Sequence, residues 1–521
     1  MPNASRFHNY LAGLSTGAAR MLIQVAVGIF LTPFMLRHLD REEFAIFSIA
    51  LDLLTWLTLL DIGISVGLRV QAARLTGAAN QEKINRLAST AFFAQNVIVL
   101  VMLVAGCALA FGFPHFFPVR LDLQRDATIL MLLCVLGAAL QIGCQTFSAL
   151  LVANQQVHVD NTIGLLLIAI RTVITVVLLK AGWGVYSLAI AHLAAKGTTG
   201  ILAIVRTYKL LPGLQIKFQF ASWKVFREIG GLGIWMSLGG LALIIIYSLD
   251  NIVAAKIISV DSVTTLVLTA RFYELAGGLV WLVSESASPM LGQLLGQNKM
   301  AQSLKAYRQL FALSTGLGVV AAFSIWAGNA SFIAAWVGPV NYGGKWVDLV
   351  MAFTVIVGLW ITPSQMVLSA NLSARGPSLV RMLEGVINLG LSILLGKLFG
   401  LVGIVLGTLL ACAVTSFWIF PLFTARMFDD SLWKFLRTDA ARVFLLIALL
   451  LPVAFVTRGF ANEVSGYLGA ALGAGITGMI GLALAWFMMV DKSLRERLPV
   501  RNFYEKACTG ALKVFSGSFT R

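Results

Sequence analysis

Charge is what this sequence has least of. Only 12% of its 521 residues are Asp, Glu, Lys or Arg, whereas 59% are hydrophobic and the mean hydropathy is +0.87. A soluble domain carries roughly 25% charged residues, so the shortage excludes an ordinary globular protein and a disordered chain alike. Cysteine is scarce as well. Cys107, Cys134, Cys144 and Cys412 lie inside apolar runs and Cys508 in the tail, none at metal-ligand spacing, so they read as packing residues. There is no G-x-x-x-x-G-K-S/T loop, no H-E-x-x-H, no G-x-S-x-G and no Cys/His cluster. Neither ATP hydrolysis nor an enzymatic role has residues to carry it, and no cofactor or metal is expected. A cleavable leader is not expected either, because only Arg6 precedes a long first apolar stretch that no small-residue cleavage site follows.

What fills the chain instead is apolar sequence in runs long enough to cross a bilayer. A spanning helix needs about 20 such residues at about 1.5 Å rise each. About fourteen runs qualify, from 11–36 and 44–68 through 229–258 to 464–489, separated by short polar joints. A membrane barrel would alternate over about ten residues, and these runs do not. The fold class predicted is therefore all-α, a polytopic membrane protein.

Basic residues crowd into alternate joints. With the N-terminus cytoplasmic, 26 of the 39 Lys and Arg fall on the cytoplasmic side and 9 outside, with Arg20, Arg171, Lys196 and Arg271 inside spans. That asymmetry predicts both termini in the cytoplasm. It also accounts for the net charge of +16 without nucleic acid, through the positive-inside bias and attraction to anionic lipid. The outside loops are all short, which leaves no room for the site of a polymerase or glycosyl ligase acting on that face.

The chain repeats itself. "LLVANQQ" at 150–156 answers "NLSARGP" at 371–377, Lys180 in "LLKAGWG" answers Lys397 in "LLGKLFG", and "QAARLTGAANQEK" at 71–83 answers "QLLGQNKMAQSLK" at 293–305. Such self-similarity predicts parallel six-helix halves, 1–212 and 213–440, followed by two extra helices over 441–490 and a basic tail over 491–521.

Ionisable residues at bilayer depth are costly and face a cavity or a partner. Thr16, Arg20 and Gln24 recur every four residues, so they share a helix face. A guanidinium stays charged and forks onto phosphate oxygens, which suits Arg20 to a diphosphate headgroup; its alternative is to neutralise an acid on a neighbouring helix. Arg171, Lys196 and Arg271 join Arg20 and Gln24 as predicted substrate-binding residues, with His192 and Thr199 on the face of Lys196. Arg271, Glu274, Gly278, Trp281, Glu285 and Ser288 form a second polar stripe. Glu285, Glu274 and Asp52 are the predicted ion-coupling carboxylates, Glu285 foremost because no cation lies three or four residues away. Arg271 and Glu274 can instead pair as a structural lock. Asp61, about 900° around a straight helix from Asp52, reads as structural. Tyr247, Asp250 and Asn251 cluster on one span, and Glu384 with Asn388 reads as a half-solvated pair close to the interface.

The opening "FLTPFMLRHLDREEFAIFSIALDLL" and "LLDIGISVGL" at 59–68, with "IYSLDNIVAAKI" at 246–257, "ARFYELAGGL" at 270–279 and "SASPMLGQLLGQ" at 286–297, resemble the polysaccharide (lipid-linked oligosaccharide) flippases of the multidrug/oligosaccharidyl-lipid/polysaccharide exporter superfamily. The resemblance covers about 1–430 and departs at Asp40 and Ala45, where these families commonly carry Gly. It implies two six-helix lobes in a V, a central cationic cavity and alternating access. The implied substrate is an undecaprenyl-diphosphate-linked oligosaccharide, moved across the inner membrane for O-antigen, capsule or exopolysaccharide. The implied partners are that substrate, membrane lipids and polysaccharide polymerase machinery. A drug/cation antiporter of the same superfamily and a peptidoglycan-precursor flippase are the alternatives.

Overall fold

A computed structural model describes residues 3–61, 63–75, 81–154, 156–370 and 375–490. Among these residues every long element is a helix and no strand occurs. Among the described residues, twelve helical segments are long and apolar enough to cross a membrane. The all-α polytopic architecture expected from the apolar runs is therefore observed. Two of the expected fourteen runs are not among those 12: the run at 44–68, and the run at 229–258, which forms one continuous helix (Trp223–Ile257) with many side chains outside the described residues.

The first of these differs for a physical reason. Its helix α2 (Arg41–Leu57) is only 17 residues long, followed by a 3-10 turn over Thr58–Asp61 and a new helix α3 (Ile64–Leu75). Gly63 takes a left-handed φ of +71 there, a conformation that costs glycine nothing. The Thr55 and Thr58 hydroxyls donate back to the Leu51 and Thr55 carbonyls at 2.8 and 2.6 Å, competing with the backbone ladder where it stops.

The chain divides into two compact units. The first holds α1 (Asn3–Leu36), α2, α3, α4 (Gln81–Phe116), α5 (Gln124–Ala153), α6 (Val157–Lys180), α7 (Tyr186–Leu210), α8 (Trp223–Ile257), and α9 (Val260–Ser286) as far as Arg271. It also holds residues 333–351 and α13 (Arg375–Phe399) with α14 (Leu401–Val414). In it α5 packs between α4 and α7, α6 lies on α1 and α7, and α13 lies between α8 and α14. Gly400 turns the chain between α13 and α14 at φ +62. A Cβ at Gly403 would collide with the Leu395 carbonyl, so the glycine lets the two helices touch backbone to backbone. Trp336 anchors α1 by donating its indole N–H to the Ile29 carbonyl at 2.7 Å.

The second unit holds α9 from Phe272, α10 (Ser288–Gly296), α11 (Met300–Trp336) as far as Phe332, and α12 (Lys345–Ala370) from Ala352. The remainder is α15 (Ser416–Met427) from Phe417, α16 (Leu432–Phe435), α17 (Ala441–Val464) and α18 (Gly466–Met489). Its core is aromatic. Phe311 meets Trp360 edge-on at 4.9 Å and Phe435 at 4.8 Å, and Trp360 stacks on Phe417 at 4.6 Å. The polar ends of those rings are satisfied: Tyr307 bonds Ser364 at 2.9 Å and the Trp360 N–H reaches the Phe417 carbonyl at 3.1 Å.

Candidate functional site

Inside the first unit, α1, α3, α5, α6 and α7 enclose a cavity of about 230 Å³. Arg20 enters it from α1, Arg69 and Ser65 from α3, Gln141 and Gln145 from α5, Asp160 from α6, and Lys196 and Thr199 from α7. Three cations thus share one small space with one carboxylate. Asp160 accepts a hydrogen bond from the Ser148 hydroxyl at 2.6 Å and makes no ion pair with the cations. Among the described residues no carboxylate lies within 4 Å of Arg20, Arg171 or Lys196. No described carboxylate therefore neutralises Arg20.

Glycines set where the guanidiniums lie. A Cβ on Gly164 of α6 would come within 2.6 Å of Arg20 Nε, so the bare helix face is what accommodates that side chain. In the same way a Cβ on Gly28 of α1 would meet Arg271 Nη2 at 2.7 Å. The cations also sense one another. Lys196 is within electrostatic range of Arg171 and Arg20, and Arg171 of Arg271. The four intramembrane bases singled out in the sequence therefore form one connected field. His192 lies beside them, buried, with both ring nitrogens lacking a hydrogen-bond partner.

Other singled-out residues fall elsewhere. Gln24 is exposed on α1 and does not line the cavity. Asp52 accepts a 2.8 Å hydrogen bond from Asn251 Nδ2. Asp61 is held from Gln95, whose amide donates to it at 3.4 Å and to Ser65 at 2.8 Å, while Thr146 donates to the Gln95 oxygen. Glu274 is exposed on α9, in the second unit. The side chain of Glu285 lies outside the described residues.

One expectation is overturned. Glu384 and Asn388 are not half-solvated: both are fully buried. Arg381 pairs with Glu384 at 2.8 Å, and Cys412 and Thr415 donate to it at 3.1 Å each, joined by Ser416. One turn along, Thr408 bonds both Asp250 oxygens at 2.8 Å and Asn388 at 3.0 Å, and Ser392 bonds Asn388 at 2.8 Å. Thr408 and Cys412 come from α14, and Thr415 and Ser416 from the junction that follows it, which spacing along α13 alone does not reveal.

Arg69, Asp160, Gln141 and Gln145 were missed. Arg69 and Asp160 lie just outside the apolar runs and so read as joints, whereas Gln141 and Gln145, four residues apart in an apolar run, carried a usable signal.

A cavity with three cations, two amides, three hydroxyls and one carboxylate, and with most of its positive charge unpaired, can bind an anion bearing several oxygens. Its size admits a headgroup rather than a whole amphiphile.

The family model described as polysaccharide biosynthesis protein matches residues 14–295, more than half of the chain. The uncharacterized membrane protein EpsK of Bacillus subtilis (strain 168) is 20% identical over 423 residues, covering 80% of this chain and 83% of that protein. Among solved structures, the lipid II flippase MurJ in an inward closed conformation matches with a TM-score of 0.65 at 14% identity, over 89% of this chain and 98% of that one. An inward-facing multidrug resistance MATE transporter of the MOP superfamily also matches at 0.65, with 17% identity over 81% and 99%. A MOP superfamily transporter from Pyrococcus furiosus, described as having a binding pocket of reverse polarity, matches at 0.61 with 14% identity over 81% and 96%. The fold is that of MOP-superfamily transporters.

Proposed function

Because the chain belongs to the polysaccharide biosynthesis protein family, we propose that it is a flippase for an undecaprenyl-diphosphate-linked oligosaccharide. It moves that lipid across the cytoplasmic membrane for O-antigen, capsule or exopolysaccharide synthesis, by alternating access and without ATP hydrolysis. The single observation that carries the reading is the unpaired positive charge of the cavity around Arg20, Lys196 and Arg69. A diphosphate supplies the missing negative charge. Arg20 forks onto two phosphate oxygens, Lys196 adds a point charge, and Gln141 and Gln145 bond the first sugar. The prenyl tail stays in lipid while the headgroup crosses.

A drug/cation pump of the same superfamily would need acids lining the cavity, and Asp160 is the single carboxylate among the lining residues. That one of the similar folds is a lipid II flippase supports a lipid-linked headgroup. The halves 1–212 and 213–440 are the proposed moving lobes, and Glu285 remains the proposed coupling carboxylate.

The test is deletion of the gene followed by assay of the cell's lipid-linked oligosaccharides. They should accumulate on the cytoplasmic side while polymer export stops, and plasmid-borne protein should restore both. Continued export, with no accumulation, sinks the proposal. The orientation is checked separately. Single cysteines at 122 and 345 should label from outside and ones at 217 and 434 should not; outside labelling at 217 reverses it.

A further inference from the structure

A second hollow of the first unit, apolar where the first is cationic, lies between α4 over Thr90–Ile98, the start of α8 and the foot of α3. It measures about 710 Å³ and is lined by Phe93, Val97 and Ile98 of α4, Trp223 and Phe226 of α8, and Ile64 of α3. The strand of chain that closes one end is tied down. Asn85 accepts from the Gln215 backbone N–H at 3.0 Å, Ser89 from the Lys217 N–H at 3.1 Å and Thr90 from the Ser222 N–H at 3.1 Å. Phe218 on that strap meets Phe93 edge-on at 5.3 Å, and Trp223 stacks on Phe226 at 4.9 Å. The hollow is thus preformed and not a gap left by a loose loop.

Its wall is apolar and open: Val97 is 61% exposed, Trp223 66% and Phe218 76%. Its rim is basic. The Arg227 guanidinium stands 5.6 Å from the Trp223 ring, with Lys224 one turn before it and Lys217 at 5.8 Å from the Phe220 ring. From Thr90 to Ile98 the groove runs eight residues of α4, about 12 Å at the helical rise. One leaflet's hydrocarbon is about 15 Å deep, half of the bilayer core. Exposed Trp at the mouth and Lys or Arg just beyond it is the arrangement that meets a headgroup region.

From this geometry we propose that the groove is a binding site for one anionic phospholipid of the surrounding membrane. An acyl chain lies between α4 and α8, and the phosphate sits against Arg227 and Lys224. The depth of one leaflet fits a phospholipid chain and is overrun by a prenyl chain of undecaprenyl length. Aromatic stacking places the guanidinium, and the strap on α4 fixes the spacing of the walls. A lipid held there would brace α8 against α4.

The experiment uses the full protein reconstituted in vesicles of equimolar phosphatidylglycerol and phosphatidylcholine, then extracted mildly and weighed by native mass spectrometry. Wild type should retain one phosphatidylglycerol in several-fold preference to phosphatidylcholine. Arg227→Ala combined with Lys224→Ala should erase that preference. Ala94→Trp should fill the groove and lower retention of both lipids. Gly230→Leu repeats that test at a position where a Cβ meets open space, so a folding failure of one variant does not decide the matter. Thermal unfolding should rise with added phosphatidylglycerol in wild type and not in the filled variants. Equal retention of both lipids by wild type, or undiminished phosphatidylglycerol in the charge and filled variants, overturns the proposal. So does one-for-one displacement of phosphatidylglycerol by added undecaprenyl diphosphate, which would make the groove a substrate-tail site.

Discussion

The first unit buries charge in two opposite ways. Where α13 packs on α8 and α14, Glu384 and Asp250 are wrapped by donors: an arginine, a thiol and two hydroxyls for one, two hydroxyls for the other. Around α1, α6 and α7, the bases Arg20, Lys196 and Arg171 lie in a connected field with no carboxylate within 4 Å among the described residues. A buried ion whose lone pairs are all engaged belongs to the frame, and removing a partner leaves an uncompensated charge. Cations held apart from any acid are stable only with water or an anion beside them. The contrast separates what holds the unit together from what it holds.

Breaking the frame should have the largest effect. Glu384→Ala takes the carboxylate from Arg381, whose side chain is only 6% exposed, and losing one member of a buried pair costs about 3–5 kcal/mol. The purified variant should unfold at much lower temperature or fail to accumulate in the membrane, and Glu384→Gln should fall between. Unfolding at the wild-type temperature would remove Glu384 from the frame. Asp250→Ala comes next. It takes the Asp250 carboxylate from the hydroxyls of Thr408 and Ser392, which keep Asn388 as an acceptor, so the cost is about 0.5–1.5 kcal/mol for each hydrogen bond lost. Asp250→Asn should recover part of that loss in the same thermal assay.

How far the sequence foretold these regions follows from what periodicity carries. Apolar runs and the scarcity of charge were enough for the helices, because bilayer thickness imposes their length. The break after Leu57 was not legible, because it depends on a left-handed glycine and hydroxyl back-bonds inside an apolar run. Arg20 and Lys196 stood out because a base at mid-span is rare, and both line the cavity. Gln24 shares the predicted face of α1 yet is exposed, since helical spacing gives a direction but not the neighbour met there. Glu384 was misread because its donors Cys412, Thr415 and Ser416 are neutral residues at the end of α14 and just past it. Ordinary hydroxyls carry no signal until the helices are packed.

A smaller change sharpens the other side of the comparison. Gly164→Ala places a methyl within 2.6 Å of the present Arg20 Nε position, displacing the guanidinium while every charge is kept. Alanine in a helix gains up to about 1 kcal/mol over glycine, so stability should hold or rise while flipping of the lipid-linked oligosaccharide falls several-fold. Wild-type flipping would mean that the position of Arg20 does not matter.

The measurement that bears most directly on the cavity is the affinity of the purified protein for an undecaprenyl-diphosphate-linked oligosaccharide, compared with its Arg20→Ala variant at equal salt. A bidentate, charge-assisted contact contributes about 1.5–3 kcal/mol, so binding should weaken roughly 10- to 150-fold while the unfolding temperature stays put. Arg20→Lys should lie between, because an ammonium keeps the charge and loses the fork. Wild-type affinity in Arg20→Ala, or equal binding of a prenyl lipid lacking the diphosphate, would contradict the account.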